Sequence, residues 1–308
     1  MTDKKFVFEA DDGEVEMNID EIIALADLGL PEGQFALGMA YLYGWEIEQD
    51  VQKGYDYLEA AAEAGNPEAM THLVKLLFTE DYPNMDEETA FRYSQKGAKA
   101  GLPEAQFYLG VMYMDGIATK QNYGKAAKWL RNASDRGFPE ARNSLAYLHQ
   151  EGLGVKQDEK KALQMYRQAA EDGSVNAMYQ AGACYEIGRG TAEDRVKAAE
   201  YYRMAAAHGD AQAMDRLGIL YYNTSADLPQ DPEASFEWFT KAATSGHPES
   251  MYCLGCYYLD GFGTGKDEVE GRRWLNLAKD GGSYSAVKLL EDLDRHGKDG
   301  EDEDAKEE

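Results

Sequence analysis

Residues 101–137 read GLPEAQFYLGVMYMDGIATKQNYGKAAKWLRNASDRG, and this stretch decides the fold. Its first half places Ala105, Leu109 and Tyr113 four residues apart, and its second half does the same with Trp129 and Ala133. Apolar residues at this spacing lie on one face of a helix. The stretch therefore predicts two helices, A and B, that form an αα-hairpin closed by a glycine, since glycine readily adopts the positive φ that ends a helix.

The same hairpin recurs along the chain. Its closing glycines are 36 residues apart five times, then 37, then 36. A fixed period of this length over seven units is typical of helical solenoids, in which each unit buries its apolar side against its neighbours. The sequence therefore predicts an all-α solenoid. The closing glycines are Gly29, Gly65, Gly101, Gly137, Gly173, Gly209, Gly246 and Gly282.

Within each unit the residues can be numbered from the preceding glycine. Proline at the second position predicts the start of helix A, because its fixed φ is already helical. Alanine at the fourth position and leucine at the eighth predict a buried stripe. A glycine at the ninth position predicts that a neighbouring helix packs closely there. Aromatic residues eight before the closing glycine predict buried area in helix B. These aromatic residues of helix B are Tyr57, Tyr93, Trp129, Tyr201, Trp238 and Trp274.

These residues resemble the Sel-one-like repeat family. Its pattern is approximately A-x-x-x-L-G-x-x-Y-x-x-G-x-G-V followed by K-A-x-x-W-y-x-x-A-A-x-x-G, and most units meet it at most positions. Departures cluster in residues 66–101, where Val74, Glu80 and Pro83 replace expected glycines, and in the altered connection at residues 223–232. The resemblance implies a tetratricopeptide-like, right-handed α/α superhelix that acts as an adaptor or scaffold. Members of the family are not generally enzymes.

The predicted organisation has three parts. Residues 1–17 are an extension, either a marginal hairpin or disordered. Residues 18–296 are the solenoid, with capping helices at 18–28 and 283–295 that protect the exposed ends of the array. Residues 297–308 are an acidic tail, predicted to be disordered. The seven repeats are 30–65, 66–101, 102–137, 138–173, 174–209, 210–246 and 247–282.

Charge and cysteine content bear on partners. The formal net charge is −26 and is spread along the chain. Such a field repels phosphate groups, so nucleic acid and anionic membrane surfaces are poor partners, whereas a basic partner or a neutral groove ligand stays open. The chain has no apolar run long enough to span a bilayer. Three scattered cysteines fit a reduced compartment, so a cytoplasmic protein is expected, as a monomer or weak homo-oligomer.

Three short motifs suggest chemistry but fit the repeat better. Cys253 and Cys256 form a C-x-x-C inside helix A, where no helix N-terminus lowers a thiol pKa and no second pair completes a zinc site. The glycine-rich residues 261–266 occupy an inter-helix turn and lack the flanking residues of a phosphate-binding loop. Ser285 and Lys288 match S-x-x-K without its companion motifs. We therefore expect no catalytic residues, no metal and no cofactor.

A binding face is predicted from positions that differ between repeats. The sixth, seventh, tenth, thirteenth and fourteenth residues vary and form one face of helix A. In the superhelices that this sequence resembles, the A helices line the concave groove. The face is rich in aromatic side chains, which often anchor partners, although such side chains also pack between adjacent repeats. The candidate groove residues are Phe35, His72, Lys75, Phe107, Tyr108, Tyr147, Tyr179, Gln180, Arg216 and Tyr252.

The favoured function is therefore a non-catalytic scaffold that binds a protein or peptide partner in this groove. Two alternatives stay open. The chain is an enzyme with hydrolase-like or other activity if the array holds a deep pocket with convergent titratable groups. It is a self-assembling structural protein if the ends of the array associate.

Overall fold

The computed structural model describes the backbone of residues 6–10, 13–78 and 86–307, and the side chains of 17–76 and 86–295. Within these ranges the chain forms two short strands and sixteen helices. The strands are β1 (Phe6–Ala10) and β2 (Gly13–Met17). The helices are α1 (Ile19–Asp27), α2 (Pro31–Tyr43), α3 (Val51–Glu63), α4 (Pro67–Phe78), α5 (Glu87–Ala100), α6 (Pro103–Asp115), α7 (Tyr123–Ser134), α8 (Pro139–Glu151), α9 (Glu159–Glu171), α10 (Val175–Ile187), α11 (Arg195–Ala207), α12 (Ala211–Tyr222), α13 (Pro232–Thr244), α14 (Pro248–Asp260), α15 (Glu268–Asp280) and α16 (Tyr284–Glu307).

The chain divides into two compact units, Met1–Gln157 and Asp158–Glu308. In the first unit α2 packs on α3, α4 on α5, and α6 on α7. In the second unit α10 packs on α11, α12 on α13, and α14 on α15. Each of these pairs joins one A helix to the following B helix, and successive pairs also pack on each other. The predicted all-α solenoid class is confirmed.

Helix B begins at an aspartate or asparagine in every repeat. The side-chain oxygen of this residue accepts a backbone N–H from the first turn, which satisfies one of the unpaired donors at a helix start. These residues repeat at the 36-residue period, a signal that was present in the sequence but was not used in predicting the fold. They are Asp50, Asp86, Asn122, Asp158, Asp194, Asp231 and Asp267.

The predicted glycine roles are confirmed. All eight closing glycines have positive φ, between 74° at Gly29 and 100° at Gly65. At the ninth position of helix A, a Cβ atom on Gly218 would lie 2.8 Å from the Phe239 ring, and one on Gly110 would lie 2.7 Å from Leu130 Cγ. Both distances are shorter than a carbon–carbon contact, so the missing side chain lets helix B approach helix A.

The fourth and eighth positions of helix A are buried as predicted; Ala105 and Leu109 are examples. The aromatic residues of helix B supply buried area as predicted, but most of them are not fully buried. Of the aromatic residues eight before the closing glycine only Tyr93 is buried, and the others are half-buried. The buried residue is the next one, such as Tyr202 or Phe239, because it faces the ninth-position glycine of helix A.

The two ends differ from the repeats. Strands β1 and β2 pair antiparallel, with Phe6 opposite Met17. Asn18 caps α1 and forms a capping box with Glu21. Helix α16 runs to Glu307, past the predicted end of the capping helix at residue 295 and into the acidic stretch. Glu80 and Pro83, two of the departures in the second repeat, lie outside the described residues. None of the helices in the described ranges combines the length and apolar character of a membrane span.

Candidate binding surface

The A helices of neighbouring repeats contact each other within each unit. In the first unit α4 contacts α6, and α6 contacts α8; in the second unit α14 contacts α16. The sixth, seventh and tenth residues of these helices are therefore brought together from different repeats. We call the residues at positions six, seven, ten, thirteen and fourteen of the A helices the A face.

The A face of the first unit contains a cavity of about 290 Å³. Three of the predicted residues, Phe35, His72 and Lys75, line it together with Glu68, Glu104 and other residues of α4 and of the start of α6. Burial lowers the pKa of His72, and the positive charge of Lys75 lowers it further. His72 Nε2 is buried, and it has no hydrogen-bond partner within the described part of the chain. The cavity thus has a neutral imidazole in its wall and an exposed ammonium beside it.

Phe107 and Tyr108 lie on α6, the next A helix. Their ring centroids are 5.2 Å apart, and the Phe107 ring is equally far from Phe138. Burial raises the pKa of Tyr108 to about 12, with smaller contributions from Glu104 and Glu140. Tyr108 and Phe35 also pack against the buried core that includes Leu73. Tyr108 and Phe35 therefore stabilise the stacking of repeats as well as lining the surface.

In the second unit Arg216 is held by a carboxylate. Glu186 on α10 accepts hydrogen bonds from the Arg216 guanidinium and, at 2.8 Å, from the Tyr202 hydroxyl. The Tyr179 ring lies 5.4 Å from the Tyr202 ring. The Glu186 side chain is only 13% exposed, so these partners take the place of water around its carboxylate. The predicted residues Tyr179 and Arg216 are thus part of one ionic cluster that joins α10, α11 and α12.

Tyr252 lines a second cavity, of about 470 Å³, between α12, α13 and α14. Most of its lining residues lie on the A face. Ile219 and Tyr222 are the tenth and thirteenth residues of α12, and Cys253, Cys256 and Asp260 are the seventh, tenth and fourteenth residues after Gly246. Phe239, Tyr257, Gly261 and Phe262 complete the lining.

The remaining two predicted residues are on the same helical face. Tyr147 on α8 is 43% exposed, and Gln180 on α10 is half-buried. The ten predicted residues therefore divide by environment. Some line cavities, some belong to the ionic cluster or to the core between repeats, and Lys75 and Tyr147 are the exposed ones.

Sequence reasoning missed several residues of the surface. Glu186, Tyr222 and Asp260 occupy A-face positions, so the offset from the closing glycine could have identified them. Phe239 comes from helix B and Phe262 from the following turn, and neither has an A-face offset. Only the packing of three helices shows that these two side chains reach the same cavity.

A serine, a histidine and an aspartate meet at the start of α14, but their arrangement is a helix cap. Ser250 Oγ donates to Asp215 Oδ1 at 2.5 Å, and His247 Nδ1 lies 2.9 Å from the same hydroxyl and accepts from the Ser250 backbone. In a hydrolase triad the histidine stands between the carboxylate and an accessible serine. Here the carboxylate contacts the serine directly and the serine is buried.

The cysteines of the C-x-x-C pair are half-buried thiols. Burial raises the pKa of Cys253 to about 12 and also raises the pKa of Cys256, so both are protonated near neutral pH. Among the residues with described side chains, no three histidine, cysteine or acidic residues are grouped so that they could hold a metal ion. Gly261 and Gly263 have positive φ in the turn between α14 and α15, as predicted for a turn rather than a phosphate loop.

Comparisons with known proteins agree with this architecture. A Sel1 repeat protein from Oxalobacter formigenes is 29% identical, with a TM-score of 0.72 over 89% of this chain and 79% of its own. The protective antigen c5321 of uropathogenic Escherichia coli, which displays an SLR fold, is 24% identical, with a TM-score of 0.52 over 90% of this chain and 67% of its own. Yeast Tom70 is 13% identical, with a TM-score of 0.52 over 92% of this chain and 60% of its own. The last two likenesses show the fold alone. No curated protein is similar enough to count as a relative.

The Sel1 repeat pattern matches seven segments of the chain, and the second match is the shortest because it lacks the part of the repeat that contains α4. Proteins built from such repeats are generally protein-interaction scaffolds and generally not enzymes. The matched segments are residues 31–66, 81–102, 103–138, 139–174, 175–210, 211–247 and 248–283. These segments cover most of the sequence, and the chain therefore belongs to the Sel1 repeat family.

Proposed function

We propose that this chain is a non-catalytic scaffold or adaptor that binds a protein or peptide partner on its A face. The observation that carries the proposal is the pair of cavities on that face, one in each unit, lined by side chains from successive repeats. Concave sites with apolar and aromatic walls and a few polar groups are where proteins bind ligands and anchor residues. The ionic cluster and the buried core hold the A helices in place, so the surface is preformed.

The charge of the chain favours a basic partner. The net charge of −26 attracts a positively charged protein or peptide and repels nucleic acid and anionic membranes. Three free cysteines fit a reduced compartment, and we place the protein in the cytoplasm as a monomer or weak homo-oligomer.

Affinity capture followed by mass spectrometry tests the proposal. The test variant, Lys75→Ala/Tyr147→Ala, removes two exposed A-face side chains and leaves the core intact. The matched control, Lys99→Ala/Tyr284→Ala, likewise removes one exposed lysine and one exposed tyrosine, both outside the A face. We expect partners captured by the wild type to be lost with the test variant and kept with the control. Identical partners for the wild type and the test variant would refute binding on the A face of the first unit.

A further inference from the structure

The wall of the cavity between α12, α13 and α14 is rich in aromatic side chains. Five of its lining residues are aromatic: Tyr222, Phe239, Tyr252, Tyr257 and Phe262. The rings of Tyr222 and Phe262 meet at 67°, and those of Tyr257 and Phe262 at 81°. Phe239 and Tyr257 are buried behind these contacts, whereas Tyr222 is 48% exposed and Tyr252 and Phe262 are partly exposed. These three rings therefore present aromatic surface to a molecule that enters the cavity.

Tyrosines elsewhere in the repeats are already occupied by a cation of the chain. Lys53 lies over Tyr41, Lys125 over Tyr113 and Lys197 over Tyr185, at 4.8 to 5.5 Å from the ring centroids. Each pair joins the twelfth residue of a repeat to the first turn of helix B. The cavity rings stand at other positions of the repeat, and no lysine or arginine with a described side chain lies over any of the five, so none of them is already paired with a cation from the described residues.

The one charged residue of the lining is Asp260, at the end of α14. Its side chain is exposed, and it forms no ion pair or side-chain hydrogen bond with any residue whose side chain the structure describes. The two thiols in the wall, Cys253 and Cys256, are neutral because burial raises the pKa of both. The cavity therefore combines three partly exposed aromatic rings, those of Tyr222, Tyr252 and Phe262, with one negative charge.

We propose that this cavity binds the arginine side chain of a basic partner. The guanidinium group is planar, stacks on aromatic rings and pairs with a carboxylate through two N–H groups, which Asp260 is placed to accept. The inference rests on the proposed function and specifies which chemistry the A face recognises. A volume of about 470 Å³ is in the range of small-ligand pockets and exceeds what one arginine side chain needs, so the partner's neighbouring residues also enter.

Saturation-transfer difference NMR on the full chain tests this with two probes, N-acetyl-arginine amide and the uncharged isostere N-acetyl-citrulline amide. A single side chain should bind with a Kd of roughly 1 mM. We expect the citrulline probe to bind about tenfold more weakly, since it lacks the charge that the rings and Asp260 recognise. Equal binding of the two probes, or no binding of the arginine probe, would overturn the proposal.

Variants separate the cavity from general attraction to an acidic protein. Asp260→Asn and Tyr222→Ala should each weaken the arginine probe about five- to tenfold, and Asp280→Asn, an exposed charge at the end of α15, should not. Tyr222 is 48% exposed, and circular dichroism checks that its replacement leaves the fold intact. If Asp280→Asn weakens binding as much as Asp260→Asn, the cavity is not the site. None of these residues is changed in the capture experiment, so partner binding on the A face can stand while arginine recognition fails.

Discussion

Gly190 shows how a single residue allows close packing between neighbouring repeats. It lies in the turn between α10 and α11 with a φ of 75°, and a Cβ atom there would lie 2.3 Å from the Glu159 carbonyl oxygen. Gly173 also has a positive φ, 97°, but a Cβ atom there would have no neighbour within 4 Å. The two glycines therefore separate the effect of backbone conformation from the effect of close packing.

We expect Gly173→Ala to lower the free energy of unfolding by about 1–2 kcal/mol, the cost of an L-residue in the left-handed region. Gly190→Ala should lower it by a further 1–3 kcal/mol or so, because the backbone at Glu159 must move. Urea denaturation followed by circular dichroism measures both. Equal losses for the two variants would mean that the contact at Glu159 is not tight.

Tyr202 combines full burial with a hydrogen bond to a charged group. Its hydroxyl donates to Glu186, and both burial and that carboxylate raise its pKa. We expect Tyr202→Phe to destabilise the chain by about 1.5–3 kcal/mol, since Glu186 loses a donor in a buried place. Tyr284→Phe, at a residue 78% exposed, is the control and should change the free energy of unfolding by less than about 0.5 kcal/mol. A small effect at Tyr202 would show that water or Arg216 replaces the donor.

At the scale of the element, each B helix starts from a side-chain cap. For α15 the cap is Asp267, which accepts the Glu270 backbone N–H at 3.0 Å. A capping side chain stabilises a helix by about 1 kcal/mol, and the same interaction recurs in every repeat. The caps therefore determine where helix B begins, independently of the apolar pattern that follows.

Asp267→Ala should lower the free energy of unfolding by about 0.5–2 kcal/mol, and Asp267→Asn should lower it much less because asparagine caps as well as aspartate. Denaturation midpoints of the two variants and the wild type give the comparison. If asparagine is as harmful as alanine, the negative charge near the helix start matters more than the hydrogen bond.

For the whole molecule, tyrosines and cysteines govern stability at alkaline pH. Burial raises the pKa of Tyr93, Tyr108, Tyr252 and Tyr257 to about 12 each, and that of Cys184 to about 11. The unfolded chain loses these protons near the ordinary values of about 10 for tyrosine and 8.5 for cysteine. The folded state holds the protons longer, so stability is fully present below those values and is lost as pH rises through the folded pKa values.

We expect the thermal midpoint to be nearly constant from about pH 7 to 8.5 and to fall steeply between about pH 10 and 12. In that window each such group lowers the free energy of unfolding by up to about 1.4 kcal/mol per pH unit. Lysines also lose their charge near pH 10, and the greater net negative charge destabilises the folded chain in the same direction, but this repulsion is screened by salt. Repeating the titration in 0.5 M NaCl distinguishes the two, because desolvation of buried groups is not screened; full recovery in salt would contradict our interpretation.

Much of the fold could be predicted from the sequence because its determinants are local. The closing glycines, the prolines that start helix A and the alanine and leucine of its buried stripe act within one helix or one turn, so their spacing is enough. The aspartate and asparagine caps recur at the same spacing, so the start of helix B could also be predicted from the sequence. The burial of the helix B aromatics was not, since the side chain that is buried is the one opposite a glycine on another helix, as Phe239 is opposite Gly218.

By itself, then, the sequence determined the repeat, the helices and the face of helix A that differs between units. Only the tertiary structure decided which residues of that face are free to bind. Arg216 pairs with Glu186, whereas Asp260 pairs with no residue whose side chain is described, and their A-face offsets predict neither outcome. The physical reason is that a helical period records which way a side chain points, while a cavity or an ion pair depends on which side chains three successive helices place next to each other.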